Sequence, residues 1–119
     1  MSSRLIATQI ISQVFENKFT LTYALRDNKS FKQAGNDKAL IQEICYGTFR
    51  WYIQLEYILN HLLKKRIKKK DSQLKYLIVI GLYQLRFMRI PAHAVVSETV
   101  NTCKKMKMEW AKSLGNAIL

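Results

Sequence analysis

Within a helical pattern over about residues 72–87, the stretch from Leu74 to Leu85 offers almost no polar face. Leu74, Leu77, Ile78, Val79, Ile80, Leu82 and Leu85 cover nearly the whole circumference of a helix, interrupted by Lys75 and Gln84. A helix that is apolar all round belongs in the centre of a bundle, because other elements must enclose it. A membrane span is the other home for such a sequence, but it takes about 20 apolar residues and this stretch is too short. The segment has clear limits. Asp71-Ser72 can cap its start, and it must stop before Pro91, since the residue preceding a proline avoids the α region.

The rest of the chain supplies the enclosing elements. Residues 3–16 place Ala7, Ile10, Ile11, Val14 and Phe15 at helical spacing, with Ser3 as a cap. A short helix is expected over residues 20–26, and a polar loop over 27–36 with Gly35-Asn36 as its turn signal. From Asn36 or Asp37 a long helical pattern runs through Leu40, Ile41, Ile44, Cys45, Thr48, Trp51, Leu55, Ile58, Leu59 and Leu62. Gly47 lies inside it, marking either a bend or a close helix crossing, so the pattern fits one helix or two. Pro91 suits the first turn of a further helix reaching about Met106, with Val95, Val96, Thr99, Val100 and Cys103 on its buried face. A last short helix is expected from about Trp110. The four glycines and single proline are too few for the regular turns of a β-sandwich. The expectation is an all-α fold, a compact domain of about six helices, orthogonal or partly bundled.

Charge narrows the function. Twenty Lys and Arg against eight acids leave a net charge of +12 on 119 residues. That balance attracts polyanions, nucleic acid first and an anionic membrane surface second, unless the basic surface is inert. The cations concentrate in residues 64–70, where Lys64, Lys65, Arg66, Lys68, Lys69 and Lys70 surround Ile67. This run is either a phosphate-binding strip or a solvated loop. Cys45 and Cys103 have no metal-ligand spacing and sit in apolar helical patterns, which reads as buried free thiols and fits a reducing cytosol. No signal peptide is expected at Met1-Ser2-Ser3-Arg4. Neither a nucleophile–base pair, a metal cluster nor a glycine-rich cofactor loop stands out, so no catalytic centre and no metal site is expected.

Several motifs in order carry a resemblance. Gln42-Glu43-Ile44-Cys45-Tyr46-Gly47-Thr48-Phe49-Arg50-Trp51 comes first. Gly81-Leu82-Tyr83-Gln84-Leu85, Arg89-Ile90-Pro91-Ala92-His93-Ala94 and Ser97-Glu98-Thr99-Val100 follow. Together they resemble the NusB-like N-terminal domain of bacterial ribosomal RNA cytosine-5 methyltransferases, the RsmB or Sun family. Gly115-Asn116-Ala117-Ile118-Leu119 is similar to the closing motif of that domain, cut just before an expected arginine. Free-standing NusB antitermination factors as a rule lack the Gly-Leu-Tyr-Gln-Leu form and the His-Ala pair, which favours the methyltransferase branch. The resemblance implies that residues 1–119 are one NusB-like RNA-binding domain. A catalytic domain that binds S-adenosylmethionine would lie outside them, in the same protein. It also implies ribosomal RNA as partner and the cytoplasm as location. A standalone antitermination factor and a pure protein-docking module are the competing readings.

The candidate RNA contacts are Arg4, Arg50, Lys64, Lys65, Arg66, Lys68, Lys69, Lys70, Arg86 and Arg89. Arg4 is similar in position to the arginine-rich N-terminus by which NusB-type proteins touch RNA, though simple surface exposure explains it equally. Arg50 either meets an RNA phosphate or pairs with Glu98. Arg86 and Arg89 also suit the C-terminal end of a helix dipole. Among the aromatic residues, Trp51, Tyr57, Tyr76, Tyr83 and Trp110 are expected mostly in the core, with Tyr23 and Tyr52 the better candidates for exposure and base stacking. His93 reads as a structural residue at a helix start.

Overall fold

The computed structural model describes residues 2–108 together with Ala111, Gly115, Ile118 and Leu119. Seven α-helices are present among them, and no strand: α1 (Ser3–Glu16), α2 (Leu21–Asp27), α3 (Lys29–Lys32), α4 (Lys38–Arg50), α5 (Tyr52–Leu62), α6 (Ser72–Phe87) and α7 (Ala92–Lys105). Short 3-10 turns occupy Gly35–Asp37 and Lys69–Asp71. The apolar segment is the axis of the molecule, as its composition requires. α6 packs against α1, α4, α5 and α7, and α1 also lies across α4. Leu77, Ile78, Val79 and Ile80 of α6 are fully buried with Ile10 and Ile11 of α1, Ile41 and Ile44 of α4, and Leu55 and Leu59 of α5. The radius of gyration, 13.1 Å, matches the roughly 13.5 Å of a single folded unit of this length.

Gln84 is the polar residue that the central helix cannot leave unpaired. It is 1% exposed. Its Nε2 donates to the Ile80 carbonyl at 3.2 Å, and its Oε1 accepts from Arg4 Nε at 3.1 Å. The two bonds satisfy the amide and tie α1 to α6.

Two local expectations need correction, and one question left open is decided. The cap of α1 is Ser2, whose Oγ accepts from the Leu5 amide at 3.2 Å; Ser3 is already helical and buried. The segment 27–36 is not a plain loop. Asn28 Oδ1 accepts from the Phe31 amide at 2.9 Å and starts α3, which buries Phe31. The long middle pattern is two helices, and the break falls at Trp51 (φ −104°, ψ 16°), not at Gly47. Asp71 does precede α6, but its side chain makes no capping bond. The closing helix expected from Trp110 lies largely outside the described residues. Ala111 is buried, and the Leu119 side chain rests over Gly81.

Gly47 marks a close crossing. A Cβ there would stand 1.9 Å from Cζ of Tyr83. That ring cannot swing away freely, because it is buried and stacked on Phe87 at a centroid distance of 5.4 Å. Gly47→Ala should therefore destabilise the fold by about 1–3 kcal/mol, the usual cost of overpacking, despite the better helix propensity of alanine. Chemical denaturation measures this directly. Because the clash is with one ring, Tyr83→Ala in the same background should cost less than the two single changes added together.

Candidate nucleic-acid interface

The basic run connects α5 to α6. Lys64, Lys65, Arg66, Lys68, Lys69 and Lys70 are all exposed, while Ile67 turns inward and is half-buried. The single apolar residue thus anchors the loop and leaves its six cations in water. Beneath them lies a groove of about 870 Å³ whose apolar lining includes Leu62, Leu63, Ile67 and Leu74. None of the six cations is held in an ion pair among the described residues, where the one such pair joins Lys75 and Glu56.

The four isolated arginines have different surroundings. Arg4 is half-buried and spends its Nε on Gln84, so it has a structural task. Arg50 is exposed, and its guanidinium lies 5.5 Å from the Trp51 ring centroid. It forms no ion pair with Glu98, which corrects the structural alternative for this residue. Arg86 is exposed over Phe87 at 5.9 Å. Arg89 takes φ 55° immediately after the C-cap of α6, the left-handed position where glycine is usual. There a cation's favourable interaction with the helix dipole offsets part of the cost of the left-handed backbone.

The aromatic residues divide differently from the sequence expectation. Tyr23 is exposed, edge-on to Phe19. Tyr52 is buried, stacked on Phe15 at 4.0 Å, with its hydroxyl donating to Glu56 at 3.3 Å. Trp51 and Tyr57, expected inside, are instead exposed, along with Tyr46, Phe49, Ile53 and Phe87. Trp51 stacks on Phe87 at 5.2 Å with an interplanar angle of 15°. Tyr76 and Tyr83 are buried as expected. Trp110 lies outside the described residues.

Little here points to covalent chemistry. Burial pushes the Cys45 thiol up to about 12, so it is neutral near pH 7 and a poor nucleophile. Cys103 is buried as well. No group of three His, Cys, Asp or Glu residues comes together among the described residues. No helix among them is long and apolar enough to cross a membrane.

The fold and its surface define a class: a small all-helical domain built round a buried central helix, with a cationic loop and exposed arginine–aromatic pairs. The chain belongs to the NusB family, whose model matches residues 1–119. Its relatives include a protein of Coxiella burnetii named probable ribosomal RNA small subunit methyltransferase B. That protein is 39% identical over 119 residues, which is all of this chain and 26% of the relative. The ribosomal RNA small subunit methyltransferase B of Proteus mirabilis is 41% identical over 116 residues, 98% of this chain and 27% of the relative. That of Pseudomonas putida is 39% identical over the whole chain and 27% of its own length. The chain thus spans about a quarter of the length of these relatives.

Proposed function

We propose that residues 1–119 form an RNA-binding accessory domain that helps position ribosomal RNA for a cytosine-5 methyltransferase active site carried elsewhere in the same polypeptide. In this reading S-adenosylmethionine is held by that catalytic part. Residues 1–119 contain no glycine-rich loop that would suit it, and Cys45 is too deeply buried to attack a base. The partners are ribosomal RNA and the catalytic domain, and the location is the cytoplasm. The relatives named above support the methyltransferase branch over a free-standing antitermination factor.

The observation that carries the reading is the loop 64–70, which presents six exposed cations anchored by one inward isoleucine. Such a loop attracts a phosphate backbone without reading bases. Each cation that neutralises a phosphate releases a condensed counterion, so affinity falls with salt at about −0.7 per contact for single strands. With roughly four contacts engaged, log K against log salt should fall with a slope near about −3. Fluorescence titration of a single-stranded small-subunit RNA fragment across a salt series measures it. Absence of saturable, salt-dependent binding would leave the domain as a protein-docking module.

A further inference from the structure

We propose that the outward face of α5 is a base-stacking track for single-stranded RNA. This rests on the RNA-binding reading above and adds a base-contacting site to the phosphate-contacting loop. At the N-terminal end of α5, Arg50, Trp51, Ile53, Gln54 and Tyr57 line a groove of about 420 Å³. Two of its walls are aromatic rings, Trp51 at 38% and Tyr57 at 64% exposure. The indole is held in place from behind: Trp51 stacks on Phe87, and Phe87 stacks on the buried Tyr83. A column of rings rooted in the core therefore presents its last member at the surface. An unstacked base meeting it finds a π surface already ordered, so little conformational entropy is lost on contact.

The groove has the other components a nucleotide needs. Arg50 lies over the indole at 5.5 Å, and its guanidinium can move onto a phosphate as a base takes its place on the ring. The Gln54 amide both donates and accepts, as the polar edge of a base requires. Beyond the groove the same helix face continues. Ile53, Tyr57 and His61 are spaced four residues apart and so lie in one row, and the Tyr57 and His61 rings approach to 4.5 Å. The row leads to the C-terminal end of α5, directly before the cationic loop. An eleven-residue helix spans only about 16 Å, so groove and loop are the two ends of one track.

Exposed apolar surface of this size also suits a protein partner. Charge decides between the two. The single carboxylate of α5, Glu56, is turned towards α6, held by Lys75 of that helix and by the Tyr52 hydroxyl of its own. The outward positions Ile53, Gln54, Tyr57, Asn60 and His61 carry no acid, Arg50 and Arg86 flank the ring column, and six cations follow at the far end.

The test compares two labelled strands of equal length, oligouridylate and an abasic ribose-phosphate strand, on the 119-residue chain and its Trp51→Ala and Tyr57→Ala variants. The wild type should bind oligouridylate more tightly than the abasic strand. Each alanine should weaken oligouridylate binding about tenfold, towards the lower end of what one base–aromatic stack contributes. The salt slope and the affinity for the abasic strand should not change. Tyr57 is largely exposed, so its truncation leaves the fold intact, and circular dichroism checks this; where Trp51→Ala disturbs the ring column, Tyr57→Ala decides. Equal wild-type affinity for both strands, or unchanged oligouridylate binding by Tyr57→Ala, overturns the track in favour of a protein-docking face and leaves phosphate contact by the loop standing. If neither strand binds, the RNA-binding reading fails with it.

Discussion

Ile78→Asp should leave the domain unfolded. Ile78 sits in the middle of α6 with no exposed surface, enclosed by the helices packed around that axis. An ionised carboxylate at that point has no partner and cannot reach water. Its burial costs several kcal/mol, and loss of the isoleucine side chain removes a further contribution of roughly 2–5 kcal/mol. The total stability of a domain this size is only about 5–15 kcal/mol. Protonation lowers the penalty but leaves a buried hydroxyl and carbonyl unsatisfied. Far-ultraviolet circular dichroism and a thermal melt provide the readout, and a native spectrum with a cooperative melt would contradict the packing described. Ile53→Asp is the matched control. The same substitution at a position 85% exposed should leave the melt nearly unchanged.

The second large effect is on binding. Lys68→Ala, Lys69→Ala and Lys70→Ala combined should weaken single-stranded RNA binding by about a hundredfold at 0.1 M salt. Three lost phosphate contacts flatten the slope by about 2 units, and a decade separates that salt from 1 M, where counterion release no longer drives association. Stability should barely move. The three side chains are exposed and outside any ion pair among the described residues, and exposed charges contribute little to folding. A melt shifted as strongly as the affinity would mean that the loop supports the fold instead of serving a ligand.

The central helix was legible because all-round apolarity has one meaning in a short segment, and Pro91 set a limit it could not pass; its actual end, at Phe87 before the left-handed Arg89, lies short of that limit. The break at Trp51 was not. Trp51 and Tyr52 lie three and four residues after Thr48, and either spacing continues a helical stripe. The change in backbone angles at Trp51 turns Tyr52 inward onto Phe15 and leaves the indole outside. That one-residue choice reverses which aromatic residue can meet a ligand, and periodicity does not resolve it. The roles of Arg4 and Gln84 were hidden for another reason. They lie eighty residues apart and explain each other only once α1 crosses α6. The cationic loop needed no such contact to be found, since six charges in seven residues have to face water wherever the chain puts them.

The most direct measurement is a salt series of fluorescence titrations with a single-stranded small-subunit RNA fragment, run on the wild type and the Lys68, Lys69, Lys70 triple-alanine variant. The account predicts a slope of log K against log salt near about −3 for the wild type and near about −1 for the variant, with superimposable melts. Identical affinities and slopes for the two proteins would contradict it and reduce residues 64–70 to a solvated loop.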